Sequence, residues 1–379
     1  MALNDDRTQE ALAAGITEDI TTALTTVADM DIVAGEPATA IEAGRDTGIG
    51  AAYTLSGKVQ CIADRVRIWA KLTNVATRRQ LWAERFEGRV KDVLALQDRV
   101  TLEAITALRV SLTEGQQERI SLAHGTRNLE AWLLAGQGHL LLRRLSHGDI
   151  LDARALYERA IELDPAYAGS YEGLAWTHLI EAQFGWASDA EESLTLAEAL
   201  AGKALEIDRT RGRTLSLLGH IAFVRGDCAT AIAHGEQAVR MGPHDAEAAA
   251  LLALTLNHCG SLERSRALMD TALRLSPNPP RWHRWNLGRV LRLLGRLDEA
   301  IATLSNGLDV GVDALPPRVE LVLALMERGD QEDARALAAQ ILARAPDFSV
   351  AQWFRSTPCA DHDRMQRERY LLRAAGLPD

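Results

Sequence analysis

The sequence predicts a small N-terminal α/β domain followed by an all-α superhelix (an α-solenoid), and three observations support this fold class. Between about residues 128 and 347, glycines, prolines and small residues recur with a period near 34. Before residue 115, three segments alternate between apolar and polar residues, which is typical of strands. The chain has 379 residues, of which 47% are hydrophobic and 25% charged, as in globular proteins of two or three domains. This composition excludes disordered, collagen-like and disulfide-stapled chains.

The repeat is clearest in the second half of the chain. Pro243 and Pro277 are 34 residues apart, and Gly226, Gly260 and Gly295 follow one another at spacings of 34 and 35. Small residues let two helices approach closely, glycine allows a tight turn, and proline stops the second helix. One such set of small residues comprises Gly219, Gly226, Ala231 and Ala238. Each period therefore predicts a helix, a turn and a second helix.

This pattern resembles the tetratricopeptide repeat (TPR), a helical hairpin of about 34 residues. Six units are predicted, and they end near Pro165, Arg209, Pro243, Pro277, Val312 and Pro346. The second unit contains about ten extra residues between 183 and 194, where Ser188 and Glu191 predict a capping box for the next helix. The resemblance implies a concave groove lined by the first helix of each unit.

The helix predicted over residues 281–296 carries the strongest indication of a binding surface. At 100° per residue, its leucines and valine cluster on one side, and two tryptophans and two arginines cluster on the other. Aromatic and arginine side chains are enriched at binding hot spots. The same register adds polar residues from the two preceding repeats. The predicted partner-binding groove comprises Trp282, Trp285, Arg289, Arg292, Asn257, His258 and His220.

Two interpretations of these residues stay open. In the first, Arg289 and Arg292 hold a carboxylate of an extended partner segment and Trp285 packs on its side chains. In the second, the tryptophans pack against the neighbouring repeat and the arginines only solubilise the surface. Single-stranded nucleic acid is disfavoured as the ligand, because the chain has a formal net charge of −10.

The residue pattern of the N-terminal region predicts a helix over residues 17–27, followed by three antiparallel strands with turns near Ala63 and Thr77. One face of the middle strand is apolar, and a helix over residues 93–112 is expected to cover it. That apolar face comprises Val66, Ile68, Ala70 and Leu72.

Several short sequences in this region resemble the TolB amino-terminal-like domain: GITEDI at 15–20, YTLSGKV at 53–59, RVRI at 65–68, LWAERF at 81–86 and LQD at 96–98. In bacterial proteins related to class III adenylate cyclases, such a domain is joined to TPR units, sometimes after a winged-helix DNA-binding domain. The family's first strand is expected to be absent, because the match begins almost at Met1, and the stretch between residues 32 and 53 is shorter than usual. An unpaired sheet edge and self-association through it are then expected.

The resemblances together predict four segments. Residues 1–115 form the TolB-N-like α/β domain without its first strand, 116–127 a linker, 128–350 about six TPR units, and 351–379 a C-terminal capping segment. The last segment is apolar enough either to cap the final repeat or to occupy the groove.

No residue pattern predicts chemistry. The chain has no phosphate-binding glycine loop, no metal-ligand spacing and no nucleophile motif, so we expect no catalytic residues, no metal and no cofactor. We also expect this sequence not to contain the nucleotide-cyclising domain of the related cyclases. The four cysteines lie far apart, without paired spacing, and are interpreted as thiols: Cys61, Cys228, Cys259 and Cys359.

The predicted function is a non-enzymatic, cytoplasmic interaction scaffold in bacterial signalling or regulation that binds a protein or peptide partner. The first residues show neither the cationic nor the apolar region of a signal peptide, so none is expected, and neither a membrane nor nucleic acid is expected as a partner. Two alternatives remain. The chain is the regulatory part of an adenylate cyclase-type system whose catalytic domain lies elsewhere, or it is the remnant of a transcriptional regulator.

Overall fold

The computed structural model describes residues 6–25, 52–107, 125–243, 245–276, 279–306, 315–355 and 361–379. The chain forms two compact units. Unit 1 comprises Met1–Ala182, Asp189–Arg211 and Arg274–Asn278, and unit 2 comprises Gln183–Ser188, Gly212–Leu273 and Pro279–Asp379. This division falls within the repeats, whereas the sequence places a linker at 116–127, so the predicted domain boundaries stay a prediction.

Unit 1 begins with helix α1 (Asp6–Thr25) and a sheet of three antiparallel strands, β1 (Tyr53–Ile62), β2 (Arg65–Asn74) and β3 (Gln80–Arg89), in the order β1-β2-β3. Ile68 of β2 lies opposite Val59 of β1 and Phe86 of β3. The apolar face of β2 is buried as predicted, because a sheet covered on one side alternates buried and accessible residues.

The buried face of the sheet is covered by helix α2 (Val93–Ala107), which follows a 3₁₀ turn at Val90–Asp92 and packs on β2 and β3. The predicted helix over 93–112 is thus confirmed as far as residue 107, and its last five residues lie outside the described part of the chain. The helix predicted over 17–27 is confirmed as far as Thr25 as part of α1, which begins eleven residues earlier, and residues 26 and 27 lie outside the described part of the chain. The stretch between residues 32 and 53 lies almost entirely outside the described residues.

The remaining described helices are paired in hairpins. Unit 1 contains α3 (Leu129–Leu142), α4 (His147–Leu163), most of α5 (Ala168–Phe184) and α6 (Ala190–Ile207). Unit 2 contains α7 (Gly212–Val224), α8 (Cys228–Met241), α9 (Ala246–Cys259), nearly all of α10 (Leu262–Leu275), α11 (Arg281–Leu293), α12 (Leu297–Ser305), α13 (Leu315–Arg328), α14 (Gln331–Arg344), α15 (Val350–Arg355) and α16 (His362–Ala374). The predicted fold class, a small α/β region followed by helical repeats, is confirmed.

The helix ends follow from local chemistry. Gly260 and Gly295 have φ values of 96° and 75°, in the left-handed region that favours glycine, and each follows the first helix of a hairpin. The capping box predicted at Ser188 is wrong. Asp189 caps α6 instead, since its side chain accepts hydrogen bonds from the backbone N–H groups of Glu191 and Glu192.

The structure also corrects the interpretation of the cysteines. Cys228, the first residue of α8, forms a disulfide with Cys259, the last residue of α9, across a Cα–Cα distance of 5.8 Å. The two cysteines are 31 residues apart in sequence, and only the folding of consecutive hairpins brings them together. Cys61 is a buried thiol, as expected, and Cys359 lies outside the described residues.

Within the described ranges, no cluster of three or more histidine, cysteine or acidic side chains is arranged to hold a metal ion. The helices described here also include none that combines the length and the apolar character needed to cross a bilayer.

Candidate partner-binding groove

Helix α11, in which the sequence predicted the binding surface, is buried on more sides than its apolar stripe requires. Val290 and Leu291 are buried as expected, but Arg289 and Arg292 are only 5% and 2% exposed. The expectation that the two arginines face solvent is therefore wrong. Buried arginines need carboxylate partners, since desolvation of an unpaired cation is very costly.

Arg292 finds these partners on two other helices of unit 2. Its Nε donates to Glu320 of α13 at 3.0 Å and its Nη1 to Glu327 of the same helix at 2.7 Å. Its Nη2 donates to Glu368 of α16 at 2.5 Å. One guanidinium thus binds three carboxylates with separate nitrogen atoms, as its planar fork allows.

Arg289 lies one turn before Arg292 and binds the other oxygen of Glu320 through its Nη1. Its buried Nε has no hydrogen-bond acceptor among the described residues. The arginine pair therefore shares one carboxylate and keeps an additional donor on the same face of α11.

The pKa shifts show how strongly these charges interact. Burial by itself would lower the pKa of Arg292, but the three carboxylates around it raise that pKa above its ordinary value. Burial by itself would raise the pKa of Glu368, but nearby arginines, with Arg289 the strongest, hold it below the ordinary value of 4.5. At Glu327 burial dominates, and the pKa is raised. Coulombic attraction thus outweighs desolvation at Arg292 and Glu368.

Asn257, on the neighbouring first helix α9, joins the two repeats. Its side-chain amide donates to the backbone oxygen of Asn286 at 3.3 Å and also bonds the Asn286 side-chain oxygen, and Asn286 donates in turn to Ala250 O at 3.3 Å. Asn257 is fully buried. Its side-chain amide therefore joins two repeats, and its backbone oxygen accepts a hydrogen bond from Arg364 of α16.

The two predicted histidines both contact one aromatic ring. Phe223 of α7 is 5.4 Å from the His220 ring and 5.1 Å from the His258 ring, measured between centroids. Nε2 of His220 bonds Gln183 Oε1 at 3.1 Å. Complete burial lowers the pKa of His220 to about 4, so its imidazole is neutral at pH 7.

The two tryptophans are partly buried in different apolar clusters of unit 2. Trp282 packs against a cluster that includes Ala249 and Met269, and Trp285 packs against one that includes Leu304 and Val319. This agrees with the second interpretation, in which tryptophans pack against adjacent repeats. The same interpretation is wrong for the arginines, which are buried rather than solvating.

The predicted residues that converge are Arg289, Arg292, Asn257 and His258, and they converge on α16. Arg364 of α16 donates to Asn257 O at 3.4 Å and to His258 O at 3.3 Å, at the C-terminal end of α9. We call the surface of α9, α11 and α13 that contacts α16 the first-helix groove. Here the chain's own C-terminal segment occupies it.

Sequence reasoning missed the acidic half of this site. Glu320 is the single charge within the buried run from Val319 to Leu325, and an isolated glutamate in such a run usually indicates a buried cationic partner. Arg364, Glu368 and Leu372 are spaced four apart, so they share one face of α16. From these two sequence patterns, the buried acidic residues and the contacting face of α16 could have been predicted.

Comparison with known proteins supports the helical repeats. Residues 216–280, from α7 to the end of α10, match the tetratricopeptide repeat family. The APC/C hetero-tetramer structure Cut9-Hcn1 is similar over 76% of this chain and 54% of its own, with a TM-score of 0.50 and 16% identity. At that identity, the similarity concerns the fold alone.

Two further similarities concern a curated protein and a solved structure. A protein of Rhizobium meliloti (strain 1021) named "Putative adenylate cyclase 3" is 32% identical over 213 residues, which is 54% of this chain and 36% of the relative. The chain thus spans about a third of that relative's length. A thermophilic TPR protein of Thermus thermophilus matches 52% of this chain and 99% of its own, with 21% identity and a TM-score of 0.39.

Proposed function

We propose that this chain is a non-enzymatic TPR scaffold in bacterial signalling or regulation, and that it binds a segment of a partner protein in the first-helix groove. One observation carries the proposal. The groove binds a helix through charge, because Arg292 of α11 pairs with Glu368 of α16 in surroundings that exclude water. A partner carboxylate can use the same guanidinium groups, and Nε of Arg289 supplies a further donor.

The test places a photo-crosslinking amino acid at single positions of the full chain in the native bacterium. Trp285 is partly exposed and lies one turn before Arg289, so a partner in the groove passes close to it. Arg335 is exposed on α14, the second helix of its hairpin, and serves as the control position. We expect a protein to be crosslinked from position 285 and not from position 335. Identical products at both positions would contradict the groove as the binding surface.

An alternative function is the regulatory portion of an adenylate cyclase-type system, favoured by the relative that carries a cyclase name. In that case the protein crosslinked at position 285 is a cyclase catalytic chain or its regulator. The purified chain is expected to form no cyclic AMP from ATP, and formation of cyclic AMP would instead establish an enzyme.

Three further predictions belong to this proposal. The similarity of the N-terminal region to the TolB amino-terminal-like domain stays a prediction, as does self-association through an edge of its sheet. Location in the cytoplasm, without a membrane or nucleic-acid partner, also stays a prediction.

A further inference from the structure

Helix α16 contacts the first helices of three successive hairpins in unit 2. Near its N-terminus, Arg364 reaches the last carbonyl groups of α9, where the helix dipole favours a cation. In its middle, Glu368 pairs with Arg292 of α11. Near its C-terminus, Leu372 packs in the apolar cluster that contains Val319 of α13. The helix therefore lies across the surface that the repeat pattern assigns to partners.

The contacting face of α16 combines polar and apolar residues. Arg364, Glu368 and Leu372 are its buried positions, and Met365 and Leu371 are partly buried against the apolar cluster, whereas Tyr370 on another side is 70% exposed. Helix α13, by contrast, is buried at nine consecutive positions from Pro317 to Leu325. Side chains three or four residues apart that place one face of a helix against a surface are the type of contact by which an amphipathic helix binds in a groove.

The two ends of α16 are held differently. Beyond its C-terminus, Leu377 is buried in the same cluster as Leu372, and Pro378 O accepts a hydrogen bond from Val350 N at 2.8 Å. The N-terminal half is held by the polar contacts of Arg364 and Glu368, to which Met365 adds a partly buried apolar contact. This half can be displaced by a competing helix that satisfies the same groups, while the C-terminal end remains attached.

We propose that α16 is an intramolecular ligand that closes the first-helix groove, and that the partner is a helix with the pattern Arg-x-x-x-Glu-x-x-x-Leu on one face. The pattern is read from positions 364, 368 and 372 of this chain. The proposal rests on the proposed function and adds to it the class of partner and the contact that regulates access.

The experiment uses the full chain and a fluorescent peptide with the sequence of residues 361–379. The open variant, Arg364→Ala with Glu368→Ala, removes one positive and one negative charge from the contacting face. The control variant, Asp363→Ala with Arg367→Ala, removes the same charges from exposed positions of the same helix. Peptide binding is measured by fluorescence anisotropy, and the exposure of α16 by hydrogen exchange of its backbone amides.

We expect the open variant to bind the peptide at least about tenfold more tightly than the wild type, because the wild-type groove is already occupied. The control variant should bind like the wild type, and a peptide carrying Glu368→Gln should lose most of its affinity. Amide protection in the N-terminal half of α16 should fall only in the open variant. If the open variant is not folded by circular dichroism, Glu368→Gln in the full chain replaces it, since this change keeps the side-chain shape.

Equal peptide affinity of the open variant and the wild type would overturn the proposal, and so would unchanged protection of α16. Repeating the crosslinking at position 285 in the open variant separates this proposal from the proposed function. A protein crosslinked equally in both forms would retain the scaffold and reject closure by α16. Peptide binding by the open variant, with no protein crosslinked in either form, would retain closure and reject the scaffold.

Discussion

Arg292 is almost fully buried, yet it is a cation, and this combination determines the chemistry of its surroundings. Removing it from water is unfavourable, and only several carboxylates at hydrogen-bonding distance can compensate. Once these carboxylates are buried around it, each depends on the arginine in turn. Removing one of these charged side chains therefore lowers the free energy of unfolding by more than the ion pair itself contributes, because a buried charge is left without its partner.

Replacing Arg292 tests this dependence. Arg292→Ala removes a hydrogen-bonded cation from the buried carboxylates of Glu320 and Glu368, so we expect the free energy of unfolding to fall by about 3 kcal/mol or more. Arg284→Ala, at an exposed position of the same helix, should change it by less than about 0.5 kcal/mol. Urea denaturation of the two variants measures the difference. Similar losses would show that the charge network is not a main contribution to stability.

His220 predicts a pH dependence of stability. Its folded pKa is lowered to about 4 from 6.5 by burial, so the unfolded chain binds a proton more readily than the folded chain. The contribution of the neutral imidazole to the free energy of unfolding is fully present above about pH 6.5 and is lost as the pH falls toward 4. From pH 7 to pH 5 this loss is roughly 2 kcal/mol.

The measurement compares wild type with His220→Gln by urea denaturation at pH 7 and pH 5. All other titratable groups are the same in both proteins. The difference between the two proteins in the pH dependence of stability therefore isolates the contribution of His220. We expect the wild type to lose more stability than the variant over this interval. His362→Gln, at an exposed position of α16, is the control and should follow the wild type. Parallel loss in all three proteins would contradict the assignment.

At the scale of the element, the turns within the hairpins were predictable because their requirement is local. A left-handed residue after the first helix favours glycine whatever packs nearby, and the 34-residue spacing of the glycines therefore marks the turns. The buried charges of α11 and α13 were not predictable in this way. A helical wheel assigns residues to faces, but which face meets another helix depends on packing far along the chain.

Two glycine substitutions should have opposite effects. Gly295→Ala places a Cβ at a φ of 75°, so we expect a loss of about 1 kcal/mol in the free energy of unfolding. Gly202→Ala lies inside helix α6, where a Cβ would meet nothing within 4 Å, and should stabilise the protein by about 0.5 to 1 kcal/mol. Thermal and chemical denaturation check both signs. Stabilisation by Gly295→Ala would contradict the left-handed turn.

At the level of the whole molecule, the Cys228–Cys259 disulfide joins two consecutive hairpins of unit 2. It affects the stability of the fold, and its oxidation state in cells tests the predicted location of the protein. Such a bond restricts the unfolded chain over a sequence separation of 31 residues. We expect the double variant Cys228→Ser, Cys259→Ser to lose about 3 kcal/mol in the free energy of unfolding. The wild type under reducing conditions should match it. No difference in stability between oxidised and reduced protein would contradict this contribution.

The oxidation state of the pair in cells tests the predicted location. Disulfides persist mainly in oxidising compartments, whereas cytoplasmic thiols are kept reduced. Alkylation of thiols at the moment of lysis, followed by mass spectrometry, should modify both Cys228 and Cys259 if the protein is cytoplasmic. An unmodified pair would contradict the cytoplasmic location.

The helical repeats, the positions of their turns and the three antiparallel strands were predictable from the amino-acid sequence, because each depends on local spacing of small, apolar and turn-forming residues. The sequence also identified α11 as the helix with unusual chemistry. The burial of Arg289 and Arg292, the pairing of Cys228 with Cys259 and the position of Glu368 in the groove became known from the packing of the helices. These contacts join residues between 28 and 76 positions apart, so they depend on how helices pack, which no local pattern records.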